Sequence, residues 1–240
     1  MKLLIMSDIH GNISALDAVL SDVRDKKIDA CALLGDLIDY GMHSNEVIER
    51  IKNFPCPVLC NIWGNHESSI MRDEYERFSS ERGRQCAKYT KSVLNKTSLS
   101  YLENMEKNGK YEFETEGKRF LAVHGSLKDN FWKSIDTDSD FSCYSAYDYV
   151  LSGHSHLPHY FEKYYACENP ETRNRKKTVF INPGSVGQPR NLNSCSQYAI
   201  LDTANEEIVL KKVYYDILKE QQAYNGQVDE FYRMRLTQGI

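Results

Sequence analysis

Five short polar blocks hold most of the histidines of this chain, and every block contains side chains that bind metal ions or transfer protons. In sequence order the blocks are Asp8-Ile9-His10, Gly35-Asp36-Leu37-Ile38-Asp39, Gly64-Asn65-His66-Glu67, His124-Gly125 and Gly153-His154-Ser155-His156. Of the seven histidines, only His43 and His159 lie outside these blocks. Oxygen and nitrogen ligands without sulfur suit divalent manganese, iron, cobalt, nickel or zinc. The blocks therefore predict a transition-metal site whose ligands come from distant parts of the chain.

Each block follows an apolar run that is predicted to be a β-strand. In the first third of the chain these runs cover residues 2–6, 30–34 and 58–62, and amphipathic helical spacing follows at 14–24 and 44–52. This alternation of strands and helices favours a largely parallel sheet. Because the carboxyl ends of parallel strands meet at one edge of a sheet, we expect the first three blocks to converge there.

The same arrangement recurs in the second half of the chain. The apolar runs at 119–123, 149–151 and 179–181 end at His124, at Gly153 and at Asn182. The other predicted elements are a polar helical region from 67 to 107, a strand at 111–114, a hairpin of strands 197–202 and 207–214, and a helical segment over 217–236 interrupted at Gly226. We expect one domain over residues 1–240, with a core of about 1–214 and a C-terminal helical segment of about 215–240.

Composition and charge narrow the class of protein. Apolar residues make up 41% and charged residues 27%, as in ordinary globular proteins. The net charge of -4 supplies no overall attraction for nucleic acid or for an anionic membrane, and we expect neither as a partner. An anionic substrate would have to be attracted locally, and bound cations would do this. The sequence makes no prediction of oligomeric state.

The cysteine pattern and the hydropathy predict the compartment. The seven cysteines are an odd number and none is spaced as Cys-x-x-Cys, which argues against a disulfide framework and against a thiolate zinc site. Residues 1–6 form an apolar run too brief for a signal peptide, and no stretch approaches the roughly 20 apolar residues of a membrane span. We therefore expect reduced thiols and a cytoplasmic protein.

Together the five blocks resemble the calcineurin-like metallophosphoesterase superfamily, whose motifs DxH, GDxxD, GNH[ED], HG and GHxH occur here in the same order. The resemblance covers residues 8 to about 190, and the series is far more specific than any single block. Asp39-Tyr40-Gly41 and the stretch NPGSVGQPR at 182–190 resemble the small bacterial and archaeal phosphodiesterase branch related to diadenosine tetraphosphatases. The resemblance implies a four-layer α/β fold, with two mixed β-sheets packed as a sandwich and flanked by helices.

The resemblance also implies two metal ions and their ligands. The first set is Asp8, His10, Asp36 and His156, and the second set is Asp36, Asn65, His124 and His154. Asp36 belongs to both, because two dications about 3.5 to 4 Å apart repel and need shared anionic ligands between them. The implied mechanism is attack on phosphorus by a hydroxide that bridges the two ions.

Roles in catalysis or in phosphate binding are predicted for four further residues. By the resemblance His66 does not bind metal, and we expect it to protonate the leaving oxygen while Asp39 orients its imidazole. A purely structural hydrogen-bond role for Asp39 is the alternative. Ser185 and Arg190, in the NPGS stretch, are expected to bind the phosphate, against the alternative that this turn only packs beside the site.

The sequence leaves several functions open. The first is a phosphodiesterase or phosphatase that acts on a small phosphorylated molecule or a nucleotide. A serine/threonine protein phosphatase or a dinucleoside tetraphosphatase is the second, although such families usually carry arginine directly after GDxxD, where this chain has Tyr40. A non-catalytic scaffold on the same fold and a DNA-repair nuclease complete the set, but no expected ligand is missing and the acidic balance does not favour DNA. Selectivity is expected to lie in residues 126–146 and 159–178.

Overall fold

Two β-sheets of five strands each form the centre of the computed structural model, which describes residues 1–136 and 138–240. The strands of the first sheet are β1 (Lys2–Met6), β2 (Ala30–Leu33), β3 (Val58–Asn61), β9 (Ser196–Asp202) and β10 (Glu207–Val213). Their order is β10-β9-β1-β2-β3, in which β1, β2 and β3 are parallel, β9 is antiparallel to β1 and β10 is antiparallel to β9. The predicted parallel unit and the predicted hairpin therefore share one mixed sheet.

The second sheet contains the remaining strands, which are β4 (Lys110–Thr115), β5 (Lys118–Val123), β6 (Tyr149–Ser152), β7 (His159–Ala166) and β8 (Arg175–Asn182). Their order is β4-β5-β6-β8-β7, in which β5, β6 and β8 are parallel and the two edge strands are antiparallel. Strand β7 lies in a segment for which the sequence predicted no regular structure. As an edge strand it is largely exposed, so its residues lack the apolar continuity of β6 and β8.

Helices cover the first sheet and form the C-terminal segment. They are α1 (Ile13–Val23), α2 (Ser44–Lys52), α3 (Asn65–Arg72), α4 (Glu81–Val93), α5 (Lys96–Glu103), α6 (Ile217–Gln222) and α7 (Glu230–Gln238). The predicted helical region from 67 to 107 is divided among α3, α4 and α5. Side-chain caps fix several of these starts, for example Asn12, whose oxygen accepts from the Ala15 amide at 3.0 Å.

Alternation along β1 explains the layers. Leu3 and Ile5 point into the space between the sheets, where Phe120 of β5 and Ile181 of β8 meet them. The intervening residues of β1 point to the opposite face and pack under the helices. Both faces of this strand are therefore buried, which is the pattern expected for a central parallel strand. The arrangement confirms the α/β sandwich of two mixed sheets.

The outer face of the second sheet is covered differently from that of the first. Val150 and Phe180 pack there against Ile135 and Tyr144, which belong to the segment between β5 and β6. In the described part of that segment the only helical element is the 3-10 turn Ser142–Tyr144. The described part of this outer layer is therefore mostly irregular. No helix of the described residues is long and apolar enough to cross a membrane.

The carboxyl ends of both sets of parallel strands lie at one edge of the sandwich. Backbone hydrogen bonds join the loops that leave them: the Gly153 amide donates to the His124 carbonyl at 2.9 Å, and the Gly187 amide to the Asp8 carbonyl at 3.0 Å. Residues from the first and the second sheet are thereby held in one rigid group of loops.

Candidate metal centre

Each predicted metal ligand lies just beyond the carboxyl end of a strand or at the start of the helix that follows. Six of the seven are buried, with at most 3% of each residue exposed, and His154 is partly buried. Burial of so many polar side chains is costly unless they are hydrogen-bonded or bind an ion. The ligands by strand are Asp8 and His10 after β1, Asp36 after β2, Asn65 after β3, His124 after β5, and His154 and His156 after β6.

Five of these residues have a left-handed backbone. The φ angles are 55° for Asp8, 49° for His10, 53° for Asp36, 64° for His154 and 58° for His156. Such a conformation costs roughly 1–2 kcal/mol per residue for an L-amino acid. Strain of this kind clusters where function requires a side chain to be aimed in a direction that regular structure does not allow.

One group of ligand atoms joins the ends of β1 and β6. The Oδ1 atom of Asp8 lies 3.0 Å from Nε2 of His156 and 3.8 Å from Nε2 of His10. The two imidazole Nε2 atoms face each other at 3.3 Å. Asp36 approaches this group from β2, with its Oδ2 atom 3.8 Å from Nε2 of His10.

A second group joins β2, β5 and the start of α3. The Oδ2 atom of Asp36 is 3.3 Å from Nε2 of His124. The side-chain oxygen of Asn65 lies 3.0 Å from that same nitrogen and 2.9 Å from Nδ1 of His154. Asp36 therefore contacts both groups, and its Oδ1 atom accepts from the His66 amide at 2.9 Å at the N-terminus of α3.

Backbone carbonyls fix which nitrogen of each histidine faces the centre. Nδ1 of His10 is 3.3 Å from the Ile38 carbonyl, and Nδ1 of His124 is 2.7 Å from the Leu34 carbonyl. A carbonyl only accepts, so each Nδ1 carries the proton and each Nε2 presents a lone pair. His156 follows the same rule through the carbonyl of Gln188.

His154 has the opposite tautomer. Its Nε2 is 3.2 Å from the Trp132 carbonyl, so this nitrogen donates and Nδ1 presents the lone pair towards Asn65. The sequence offered no signal for this reversal, because Trp132 belongs to an irregular segment far from the histidine block.

The geometry of these atoms fits cations. Oδ1 of Asp8 is fully buried without a well-formed hydrogen bond. In their neutral tautomers His10 and His156 direct lone pairs at each other, an arrangement that is repulsive unless a positive charge lies between them. Burial lowers the pKa of His154 to about 4, which favours the neutral imidazole that binds metals. Burial also opposes the charged form of His124, but Asp36 outweighs it and raises the pKa of His124 to about 9, so His124 has to lose a proton from Nε2 when an ion binds. The donor set therefore suits divalent metal ions.

His66 and Asp39 form a buried pair beside these ligands. Nδ1 of His66 is 2.6 Å from Oδ2 of Asp39, and Thr90 of α4 donates to the other oxygen of Asp39 at 2.7 Å. Burial opposes the charged imidazole, but the charge of Asp36 and the hydrogen bond that His66 donates to Asp39 outweigh it and raise the pKa of His66. Nε2 of His66 points towards Asp36, 3.9 Å from its carboxylate. Thr90, which sequence reasoning missed, fixes the orientation of Asp39.

Glu67 holds the turn that carries Asp36. Its carboxylate accepts from the amides of Asp36 at 2.8 Å, Leu37 at 2.7 Å, Ile38 at 3.2 Å and Gly64 at 2.8 Å. The side chain is completely buried. It positions the ends of β2 and β3 relative to each other and does not line the open cavity.

The two predicted phosphate-binding residues have different positions. Ser185 is completely buried, donates to the Asp8 carbonyl at 2.7 Å and accepts from the Gln188 amide at 2.7 Å. Its hydroxyl is used within the chain, so its position supports a role in holding the Asp8 turn instead of the expected phosphate contact. Arg190 lines the cavity beside the metal-ligand group, where an anion would bind.

A cavity of about 550 Å³ opens onto the ligand groups. Its walls include aromatic residues of several elements, among them Tyr40, Phe78, Trp132, Phe231 and Tyr232. The Tyr40 ring lies 4.6 Å from the His10 ring and stacks on Tyr232 of α7 at 4.5 Å. The C-terminal segment therefore contributes part of the cavity, which sequence reasoning did not predict.

Fold and ligand groups define a metal-dependent phosphoesterase, and the comparisons with known proteins agree. The family model of the calcineurin-like phosphoesterase superfamily domain matches residues 1–206. The chain therefore belongs to this family and is a metal-dependent phosphoester hydrolase.

The relatives extend this similarity to nearly the whole chain. An uncharacterized protein of Methanocaldococcus jannaschii is 30% identical over 219 residues, which are 90% of this chain and 88% of that protein. A metallophosphoesterase from Sphaerobacter thermophilus is 25% identical with a TM-score of 0.77, covering 100% of this chain and 99% of that one. A hypothetical protein of Pyrococcus horikoshii, 20% identical, has the same fold with a TM-score of 0.80 over 100% and 98% of the two chains.

Proposed function

We propose that this protein is a hydrolase with two metal ions that cleaves phosphoesters of small molecules or nucleotides, as a phosphodiesterase or a phosphatase. The observation that carries the proposal is the position of Asp36, whose carboxylate contacts both groups of ligand atoms. Asp8, His10 and His156 would hold one ion, and Asn65, His124 and His154 the other. When bound, divalent ions such as manganese would activate water and offset the negative charge of the phosphoryl group.

The chain's own residues would complete the reaction. His66 would donate a proton from Nε2 to the leaving oxygen, because its Nδ1 is hydrogen-bonded to Asp39 and Nε2 is the nitrogen turned towards the ligand groups. Asp39 would hold the imidazole in that orientation, with Thr90 fixing the carboxylate. Arg190 would hold the anionic substrate from the cavity wall.

The shape of the site favours a small substrate over a folded phosphoprotein. Tyr40 occupies the position directly after the GDxxD block, and its ring is 9% exposed beneath Tyr232. Helix α7 thus forms a wall on this side of the cavity. No predicted metal ligand is missing from the site, which argues against a non-catalytic scaffold.

The test combines metal analysis with activity. Purified protein is reconstituted with Mn²⁺, its metal content is measured, and hydrolysis of p-nitrophenyl phosphate and bis-p-nitrophenyl phosphate is compared. We expect two ions per chain and turnover of at least one ester. In Asp36→Asn we expect loss of at least one ion and a fall in kcat/KM of about a thousandfold, the equivalent of ~4 kcal/mol.

The matched control is Asp25→Asn, which changes an exposed aspartate on the turn between α1 and β2. It should retain the metal content and activity of the wild type. A metal-loaded wild type that is inert on both esters and on a nucleotide and phosphopeptide panel would contradict the proposal. So would an Asp36→Asn variant with unchanged metal content and turnover.

A further inference from the structure

The cavity beside the ligand groups is strongly basic, although the chain as a whole carries a net charge of -4. Four arginines line it, and Asp36 is its only lining carboxylate among the described residues. Arg77 and Arg82 are exposed at the rim, where Arg77 is paired with a carboxylate. Arg190 and Arg235 lie further in, so any anion that enters the cavity meets these two.

Arg235 lies on α7 and is buried, with only 7% of the residue exposed. Its Nε atom donates to the Ile240 oxygen at 2.6 Å, and its guanidinium lies 5.8 Å from the centre of the Tyr40 ring. Burial and the nearby charge of Arg190 lower the pKa of Arg235 to about 10, so it is still charged at neutral pH. The other groups that act most strongly on its charge are the hydroxyls of Tyr40, Tyr232 and Tyr224.

Arg190 has an unpaired nitrogen in the same cavity. Its Nε atom is fully buried and has no hydrogen-bond partner among the described residues. Its charge also acts on Tyr40 and on His156. Two guanidinium groups that repel each other in one cavity are stabilised by an anion that accepts from both, and the guanidinium geometry suits phosphate.

The position of Arg235 indicates which phosphate it would meet. The Tyr40 ring lies near both Arg235 and His10: its centre is 4.6 Å from the His10 ring and 5.8 Å from the Arg235 guanidinium, so those two groups are at most 10.4 Å apart. Arg235 is thus near the ligand groups without belonging to either of them. A phosphate bound by Arg235 would then lie next to the phosphate on which the metal-ligand groups act.

We propose that Arg190 and Arg235 bind a second phosphate group of the substrate, so that the substrates of this site carry at least two phosphates. The inference rests on the proposed function only for the identity of the phosphate that is cleaved. It also gives α7, which lies outside the residues matched by the family model, a part in selecting the substrate.

Two phosphonates test this on the Mn²⁺-loaded full chain. Methylphosphonate carries one phosphoryl group and methylenediphosphonate carries two, and neither contains a P–O bond to a leaving group. Calorimetric titration gives both dissociation constants. We expect Arg235→Gln to reduce the preference for the diphosphonate about tenfold or more, as one charge-assisted hydrogen bond of ~1.5 kcal/mol or more is lost. Arg190→Gln should reduce the same preference.

The control is Arg233→Gln on the same helix, since Arg233 is paired with Glu230 at the surface. It should leave the preference unchanged. Equal weakening of both phosphonates in Arg235→Gln, or weakening of neither, overturns the proposal. If circular dichroism shows that Arg235→Gln unfolds α7, the Arg190→Gln variant replaces it, because Arg190 lies outside α7. Equal weakening of both phosphonates in Arg190→Gln, or weakening of neither, then overturns the proposal.

This binding measurement separates the two proposals. An inactive protein in which the variants still lose the preference would contradict the hydrolase and support the second-phosphate site. An active protein in which the preference is unchanged would contradict the second-phosphate site alone.

Discussion

The turn that presents Asp36 depends on a single buried carboxylate, and Glu67→Gln tests that dependence. Glu67 accepts four backbone amides, from Asp36, Leu37, Ile38 and Gly64. Glutamine keeps one acceptor oxygen but turns an NH2 group towards amides that can only donate. Burial and the charge of Asp36 raise the pKa of Glu67 to about 7, so the comparison is made at pH 8.5, where at least two hydrogen bonds to a charged group are lost, each contributing about 1.5–3 kcal/mol. We therefore expect a loss of roughly 3–6 kcal/mol in the free energy of unfolding.

Denaturant unfolding of the metal-free protein measures this loss, and Mn²⁺ titration measures its consequence at the site. Because Asp36 contacts both ligand groups, we expect metal affinity to fall at least about tenfold, as for other residues that orient metal ligands. Glu103→Gln, at an exposed position at the end of α5, is the matched control and should change neither quantity. A loss of less than about 1 kcal/mol with unchanged metal affinity would refute the reasoning.

Three further predictions concern the proton donor, the metal and the pH. His66→Asn should retain metal and slow esters with poor leaving groups far more than p-nitrophenyl esters; an equal effect on both series would remove the proton-donor role. Chelation of the ions should lower the thermal midpoint, because metal binding stabilises only the folded chain, and a midpoint insensitive to Mn²⁺ would contradict this. The hydrogen bond to Glu220 raises the pKa of His43, so its stabilisation is complete below the ordinary histidine pKa and is lost as the pH rises through the raised value. His43→Gln should thus lower the free energy of unfolding by about 0.5–1 kcal/mol at pH 5.5, since the ring is partly exposed, and by less at pH 9; equal losses at both pH values would contradict the ion pair.

Much of the fold follows from local pattern. The apolar runs that end in polar blocks predicted β1, β2, β3, β5, β6 and β8, because a buried parallel strand must be apolar on both faces. The closing hairpin was also predicted and forms the β9–β10 pair. Strand β7 was missed, since an exposed edge strand carries polar residues and gives no continuous apolar signal. The packing of two sheets face to face came from the family resemblance, because periodicity reports burial and not the partner.

The candidate site, too, could be predicted only in part from the sequence. The seven ligand residues could be named from their types and from the resemblance, and the chain brings them into two adjoining groups. That they bind ions stays a prediction. Their support could not be anticipated: Thr90 meets Asp39 across 51 residues, and the Trp132 carbonyl fixes the tautomer of His154 from an irregular segment. Such contacts depend on the tertiary structure and leave no local signal in the sequence.

The C-terminal segment shows most clearly which contacts the sequence does not predict. Tyr232 and Arg235 are three residues apart on α7, so one helical face carries both. The sequence predicts a helical segment here but not what it contacts. The structure places it against Tyr40, directly beside the histidines of the site.

The central claim is that Asp36 lies between two bound cations, and an anomalous difference map from crystals soaked in Mn²⁺ tests it most directly. We expect two peaks, one among Asp8, His10 and His156 and the other among Asn65, His124 and His154, with the Asp36 carboxylate contacting both. A single peak, or none at full Mn²⁺ saturation of the crystal, would contradict the account.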